Sequence, residues 1–196
     1  HDAYFGPNLP QGFPQASVIF TSGLWLGAKN NSGDLKLSGG VYGSAYDYVA
    51  GPITNDNGQI SYNCDFYDRL WMVMRSEILA HLADFEDNGV IDNPLDNIYD
   101  YPAQGNPFFE NINGFSLPNT PQGLAPFFDQ NNDGIYNPTD GDFPKPSAVD
   151  ENAIPSQMIW GIFNDGGTPN NATQGEPLNA EIQITGWAYN CTDNEV

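Results

Sequence analysis

The densest run of metal-binding side chains is Asp129-Gln130-Asn131-Asn132-Asp133-Gly134-Ile135-Tyr136-Asn137-Pro138-Thr139-Asp140. Counted from Asp129, oxygen-bearing side chains fall at positions 1, 3, 5, 9 and 12, with glycine at position 6. That is the pattern of a twelve-residue calcium loop, in which a hard cation collects six to eight oxygens at about 2.3–2.6 Å. On this reading Asp129, Asn131, Asp133, Asn137 and Asp140 supply side-chain oxygens and Ile135 its main-chain carbonyl. Gly134 permits the sharp turn, and Asp142 is a spare carboxylate nearby. A turn-rich surface loop without metal is the alternative, because Asp, Asn and Gly favour turns on their own account. Pro138, Gly141 and Pro144 forbid a regular helix after the loop, so it departs from a true EF-hand and reads as a fixed, structural loop on a β scaffold. A second acidic stretch, Asp84 to Asp92, fits the same spacing poorly and reads equally well as an acidic helix end running into a turn.

Other chemistry is sparsely represented. The only histidines are His1 and His81. A free N-terminal histidine with a second one elsewhere is the copper brace of lytic polysaccharide monooxygenases, but His81 sits in a helical stretch where an ordinary helix-surface or core-edge histidine is the simpler reading. No Ser or Cys nucleophile has a histidine in context, no glycine-rich phosphate loop occurs, and the many acids form no recognisable glycosidase pair. The sequence therefore reads as non-enzymatic. Cys64 and Cys191 are the only cysteines. In an oxidising compartment they most simply form one disulfide, the alternatives being buried free thiols or pairing with chain outside these residues. Trp25, Tyr42, Tyr46, Tyr48, Trp160 and Trp187 could form a sugar-stacking platform, although aromatics on short strands are more often core.

The elements that must position these residues are mostly short strands. Val18–Phe20 and Gly23–Gly27, then Asn30-Asn31-Ser32-Gly33 and Leu35–Leu37, read as strands and a hairpin turn. Asn55–Gly58 is a second turn of that kind before a strand at Ile60–Tyr62. Met158–Phe163 and Ala180–Tyr189 read as strands flanking a polar loop. One segment has helical spacing, with Trp71, Met74, Ile78, Leu82 and Phe85. It reads as a strand over Arg69–Arg75 and a short helix over Glu77–Phe85 capped by Ser76, or as one longer helix. Repeated Pro, Asn and Gly from Asp92 to Phe128 predict a long irregular surface excursion, which with the calcium loop spans residues 92–146. The expected fold is mainly β, antiparallel and sandwich-like, with one short helix and long loops, in a single domain over residues 1–196.

Composition limits the partners. Twenty-five acidic residues face five Lys and Arg, a formal net charge of −20, which repels nucleic acid and anionic membranes. With 39% hydrophobic and 13% aromatic residues the chain is not a disordered acidic tail. No apolar stretch approaches the roughly 20 residues that cross a bilayer. The chain opens at His1 without Met, which reads as a processed or excised piece.

Together several blocks resemble a known group of proteins. They are Gly23-Leu-Trp25-Leu-Gly27, Tyr67-Asp-Arg69-Leu-Trp71 running into Arg75-Ser-Glu77-Ile78, Leu124-Ala-Pro126-Phe-Phe-Asp129 with Asp133-Gly-Ile-Tyr-Asn-Pro138 and Asp140-Gly-Asp142-Phe-Pro144, and Ile162-Phe-Asn164-Asp165. They resemble large secreted proteins of Bacteroidota of the type IX secretion kind. The resemblance implies an extracellular or cell-surface location within a longer polypeptide and says little about activity. The expected role is a calcium-stabilised structural block of a surface layer, filament or adhesin, associating with itself or neighbouring domains. A carbohydrate-binding module is the alternative.

Overall fold

The computed structural model describes residues 22–43, 45–55, 58, 60–150, 153–167 and 169–190. The expected strand at Val18–Phe20 lies outside them. The chain is mainly β, with antiparallel sheets and short helices. Strands β1 (Trp25–Lys29) and β2 (Leu35–Gly39) form a hairpin. Its turn is closed by the Asn30 carboxamide, which accepts from the main-chain N–H groups of Ser32 and Asp34 at 2.9 Å each.

The main sheet is organised on β7 (Gln157–Asn164), whose burial on alternate residues puts Met158, Trp160 and Ile162 into the core. Along one side β7 pairs with β8 (Glu181–Ala188) over its whole length. Along the other it pairs with β3 (Val49–Ala50) at one end and β4 (Trp71–Met74) at the other. The expected strand at Ile60–Tyr62 is absent; Cys64–Phe66 forms a 3-10 turn there.

Helix α1 follows β4 directly and runs Arg75–Asn88, longer than predicted at both ends. The Glu77 carboxylate reaches back to the Met74 N–H at 2.8 Å, so Met74 and not Ser76 occupies the cap position. Gly89, at φ +77°, ends the helix in the left-handed conformation. Two further short helices, α2 (Asp96–Tyr99) and α3 (Phe109–Asn113), and the two-residue strands β5 (Phe127–Phe128) and β6 (Phe143–Pro144) complete the described elements.

The segment expected to run over the surface is half of the core. Ile98, Tyr101, Phe109, Phe115, Leu124, Tyr136 and Phe143 pack with Trp71, Val73, Ile78, Met158 and Trp160 in one buried cluster. The hydrophobic layer thus lies between one face of the main sheet and α1 with residues 95–143. The β1–β2 hairpin contributes nothing to it. The expected sandwich is not confirmed: the second layer combines helices and turns with the two-stranded β5–β6 sheet. Among the described residues no helix is long and apolar enough to cross a membrane.

Candidate cation loop and its surroundings

Residues 129–142 are the loop between β5 and β6, which pair Phe128 with Phe143 and Phe127 with Pro144. The Phe128 and Phe143 rings stack at 4.9 Å, and the Lys145 ammonium lies 5.5 Å from the Phe128 ring centre. A fixed root follows from this pinch. The far side is anchored too. Tyr136 is fully buried and donates its hydroxyl to the Ile98 carbonyl at 2.7 Å, while its N–H bonds the Gln104 carbonyl at 3.0 Å.

Within the loop, the side chains chosen by spacing organise the main chain. The Asp129 carboxylate accepts from the N–H groups of Asp133 at 3.3 Å and Gly134 at 2.8 Å. Asn131 accepts from Asp133 N–H at 3.0 Å, and Asp133 from Ile135 N–H at 2.8 Å. These successive Asx turns require positive φ at Asn132 (+60°) and Gly134 (+79°). The Asn131 carboxamide then lies between two carboxylates, donating to Asp133 at 3.1 Å and, more distantly, to Asp140 at 3.4 Å. Asn137 donates to the same Asp140 oxygen at 2.9 Å. Amide hydrogens thus separate acids that would otherwise repel. Asp133 and Ile135 are exposed, and Asp140 is half-buried. Pro138–Asp140 forms one 3-10 turn, stopped by Gly141 at φ +90°, so no exit helix follows, as the prolines imply.

Asp142, read from sequence as a spare acid, is the internal hub of the loop. It is fully buried and accepts from Gln130 N–H and Asn137 N–H, each at 2.8 Å, tying the two ends of the loop together. Burial raises its pKa, against the lowering effect of the two N–H donors; repulsion from Asp129 and Asp133 adds to the rise. It falls two residues beyond the twelve-residue pattern, which is why spacing alone missed it.

Among the described residues no three His, Cys, Asp or Glu side chains converge as a metal centre. The convergence in the loop is of two carboxylates with carboxamides and main-chain groups. All the candidate donors are oxygens, the set a hard cation takes. The acidic stretch near α1 is a helix end: Asp84 accepts from Asn93 N–H at 2.8 Å, and Asp92 from the Asn88 carboxamide at 3.2 Å.

The remaining candidates separate clearly. His81 is buried inside α1, and among the described residues neither ring nitrogen makes a hydrogen bond of good geometry, although the Asp142 main chain lies close. Burial lowers its pKa, outweighing the opposing Asp142 main chain and Asp84, and holds it as a neutral core residue. His1 lies outside the described residues. Cys64 is a free, half-buried thiol among the described residues, and the disulfide expected with Cys191 falls on a residue outside them. Burial pushes the Cys64 thiol pKa up. Of the six aromatics, Trp160 is core and Tyr48 packs on Phe163 at 5.2 Å. Trp25, Tyr42, Tyr46 and Trp187 are exposed, which corrects the core reading for those four. The Trp25 indole lies against Gly39, where a Cβ would come within 2.8 Å of the ring, and donates to the Gly40 carbonyl at 3.1 Å.

A groove of about 550 Å³ lies near the loop, lined by Gln104, Thr120, Gln122, Gln183, Thr185 and the rim residue Gly134 among others. Comparison with protein-family models, curated proteins and solved structures found no match.

Proposed function

We propose that this chain is a non-enzymatic structural domain of an extracellular or cell-surface assembly, in which calcium bound at the β5–β6 loop clasps the helical layer onto the sheet. The observation that carries the reading is the meeting of Asp133 and Asp140 at one Asn131 carboxamide, on a main chain already held by Asp129 in the required turns. Bound there, the cation would take oxygens from Asp129, Asn131, Asp133, Asn137 and Asp140 and the Ile135 carbonyl. Asn131 and Asn137 would turn oxygen and not N–H₂ toward it, and repulsion between the acids would become attraction to a shared charge. The loop roots in Phe128, Tyr136 and Phe143, so tightening it tightens the core. The resemblance to secreted Bacteroidota proteins supports the location. Extracellular sites of this type bind at about 10⁻⁴–10⁻³ M.

Thermal melts test this. Calcium at ~5 mM is expected to raise the midpoint by several degrees over EDTA, as mass action requires for a site saturated several-fold. The double variant Asp133→Asn with Asp140→Asn should melt identically in both. An unchanged midpoint in the parent protein would sink the clasp.

A second reading, glycan binding, is supported by the exposed Trp25, its indole lying against Gly39, and by the exposed Tyr42 and Tyr46. It predicts retention of neutral polysaccharide that Trp25→Ala abolishes; no retention by the parent protein ends it.

A further inference from the structure

Among the described residues the long open edge of the main sheet is β8. The Asp165 N–H bonds the Ala180 carbonyl, and the Ser156 N–H the Ala188 carbonyl. Even-numbered residues of β8 therefore turn their main-chain groups toward β7, and those of Gln183, Thr185 and Trp187 point away from the sheet. Among the described residues nothing pairs with them. Soluble proteins normally guard such an edge with lysine, proline or a short strand. This one is eight residues long, and from Ile182 to Asn190 carries no charge and no proline, in a protein of net charge −20.

Two independent features lie beside it. The groove of about 550 Å³ is lined by Gln183 and Thr185, and the Oε1 atom of Gln104 in its wall is buried without a hydrogen-bond donor. Trp187, two residues along and on the same side of β8 as Thr185 and Gln183, is 42% exposed and presents an indole N–H.

We propose that β8 is a dimerisation edge, pairing antiparallel with β8 of a second copy of this chain about a two-fold axis at Thr185, so that the partner's Trp187 enters the groove beside Gln183. In that register Gln183 faces the partner's Trp187 and Glu181 faces the partner's Tyr189, so no carboxylate opposes another. The charge of Glu181 is already met within its own copy, by the Ile53 N–H at 2.8 Å and the Gln122 carboxamide at 2.7 Å. A two-fold contact of this kind closes on itself and yields a dimer, the unit from which a larger assembly would need a second contact. The inference rests on the assembly half of the proposed function and not on calcium.

Sedimentation velocity and amide exchange from ~1 µM to ~1 mM, in EDTA and ~0.5 M NaCl to screen the net charge, decide it. The expected result is a reversible dimer in which the amides of Gln183, Thr185 and Trp187 exchange at least ~10-fold more slowly than in the monomer. Trp187→Ala should weaken the dimer by ~10-fold or more, as loss of a buried aromatic anchor does. Thr185→Pro, which removes an outward N–H while keeping the β7-facing N–H groups of Ile184 and Gly186, should abolish it. A monomer at the highest concentration overturns the proposal. So does a dimer whose three amides keep monomer rates. Neither result bears on the calcium melts, which use dilute protein.

Discussion

A buried carboxylate, Asp142, and a half-buried one, Asp100, show how similar electrostatic surroundings lead to opposite roles. Asp100 and Asp142 both have pKa values raised first by burial, each further opposed by neighbouring acids. Asp142 offsets that cost by accepting from Gln130 and Asn137 N–H groups, whereas Asp100 has only the more distant Arg69 charge in its favour. The two therefore respond differently to the same substitution. For Asp100 the folded protein binds its proton more tightly than the unfolded chain. Its charged form costs stability above the folded pKa, and the cost fades as pH falls toward the ordinary carboxylate range. Asp100→Asn should raise the melting midpoint at pH 7, with the gain vanishing near pH 4 in a melt series. Asp142→Asn should do the reverse, costing about 1–3 kcal/mol at pH 7, because a carboxamide offers one acceptor oxygen where two N–H donors need two. Chemical denaturation of both variants measures the contrast, and equal signs would defeat it.

At the scale of elements, the loop and α1 are coupled through glycine. Gly89 and Gly141 both hold left-handed φ, +77° and +90°. A Cβ on Gly89 would meet nothing within 4 Å, but on Gly141 it would press the Phe85 ring of α1 at 2.8 Å. Gly89→Ala should cost about 1 kcal/mol, the conformational strain alone. Gly141→Ala should cost about 1–3 kcal/mol more, from overpacking against the helix, and should also blunt the calcium response. Urea titrations of the pair, with and without calcium, separate strain from contact. Legibility in the sequence follows the same division between local and tertiary causes. The β1–β2 hairpin, β7 and β8 were readable because their turn chemistry and residue types are local, and the turns of Asp129–Asp140 because Asx-turn chemistry is local too. Residues 92–146 were misread as surface. Helices of four or five residues show no countable period, and only contact with Trp71 and Trp160 reveals that Tyr101, Phe109 and Tyr136 are core. The exposure of Trp25 and Trp187 was hidden for a related reason: alternation names two faces of a strand but not which one a partner covers.

For the whole molecule, charge sets the conditions under which every other interaction works. Twenty-five acids against five Lys and Arg must be held in a compact volume, and the unfolded chain relieves that repulsion by expanding. Salt should therefore stabilise the fold, since screening over about 10 Å at 0.1 M weakens repulsion more in the compact state. The helical layer is the sensitive part, because it carries the acids Asp84, Asp96, Asp129, Asp133 and Asp140. Screening and specific binding leave different signatures. Raising NaCl from ~20 mM to ~0.5 M should lift the midpoint gradually by a few degrees, and equally in the Asp133→Asn, Asp140→Asn double variant. Calcium at millimolar concentration should add a saturating increment on top of ~0.5 M NaCl, and only in the parent protein. Magnesium, smaller and reluctant to shed water, should give little of that increment. If calcium adds nothing once NaCl has screened the acids, its effect is that of ionic strength, and the loop is a hydrogen-bonded turn without a bound cation.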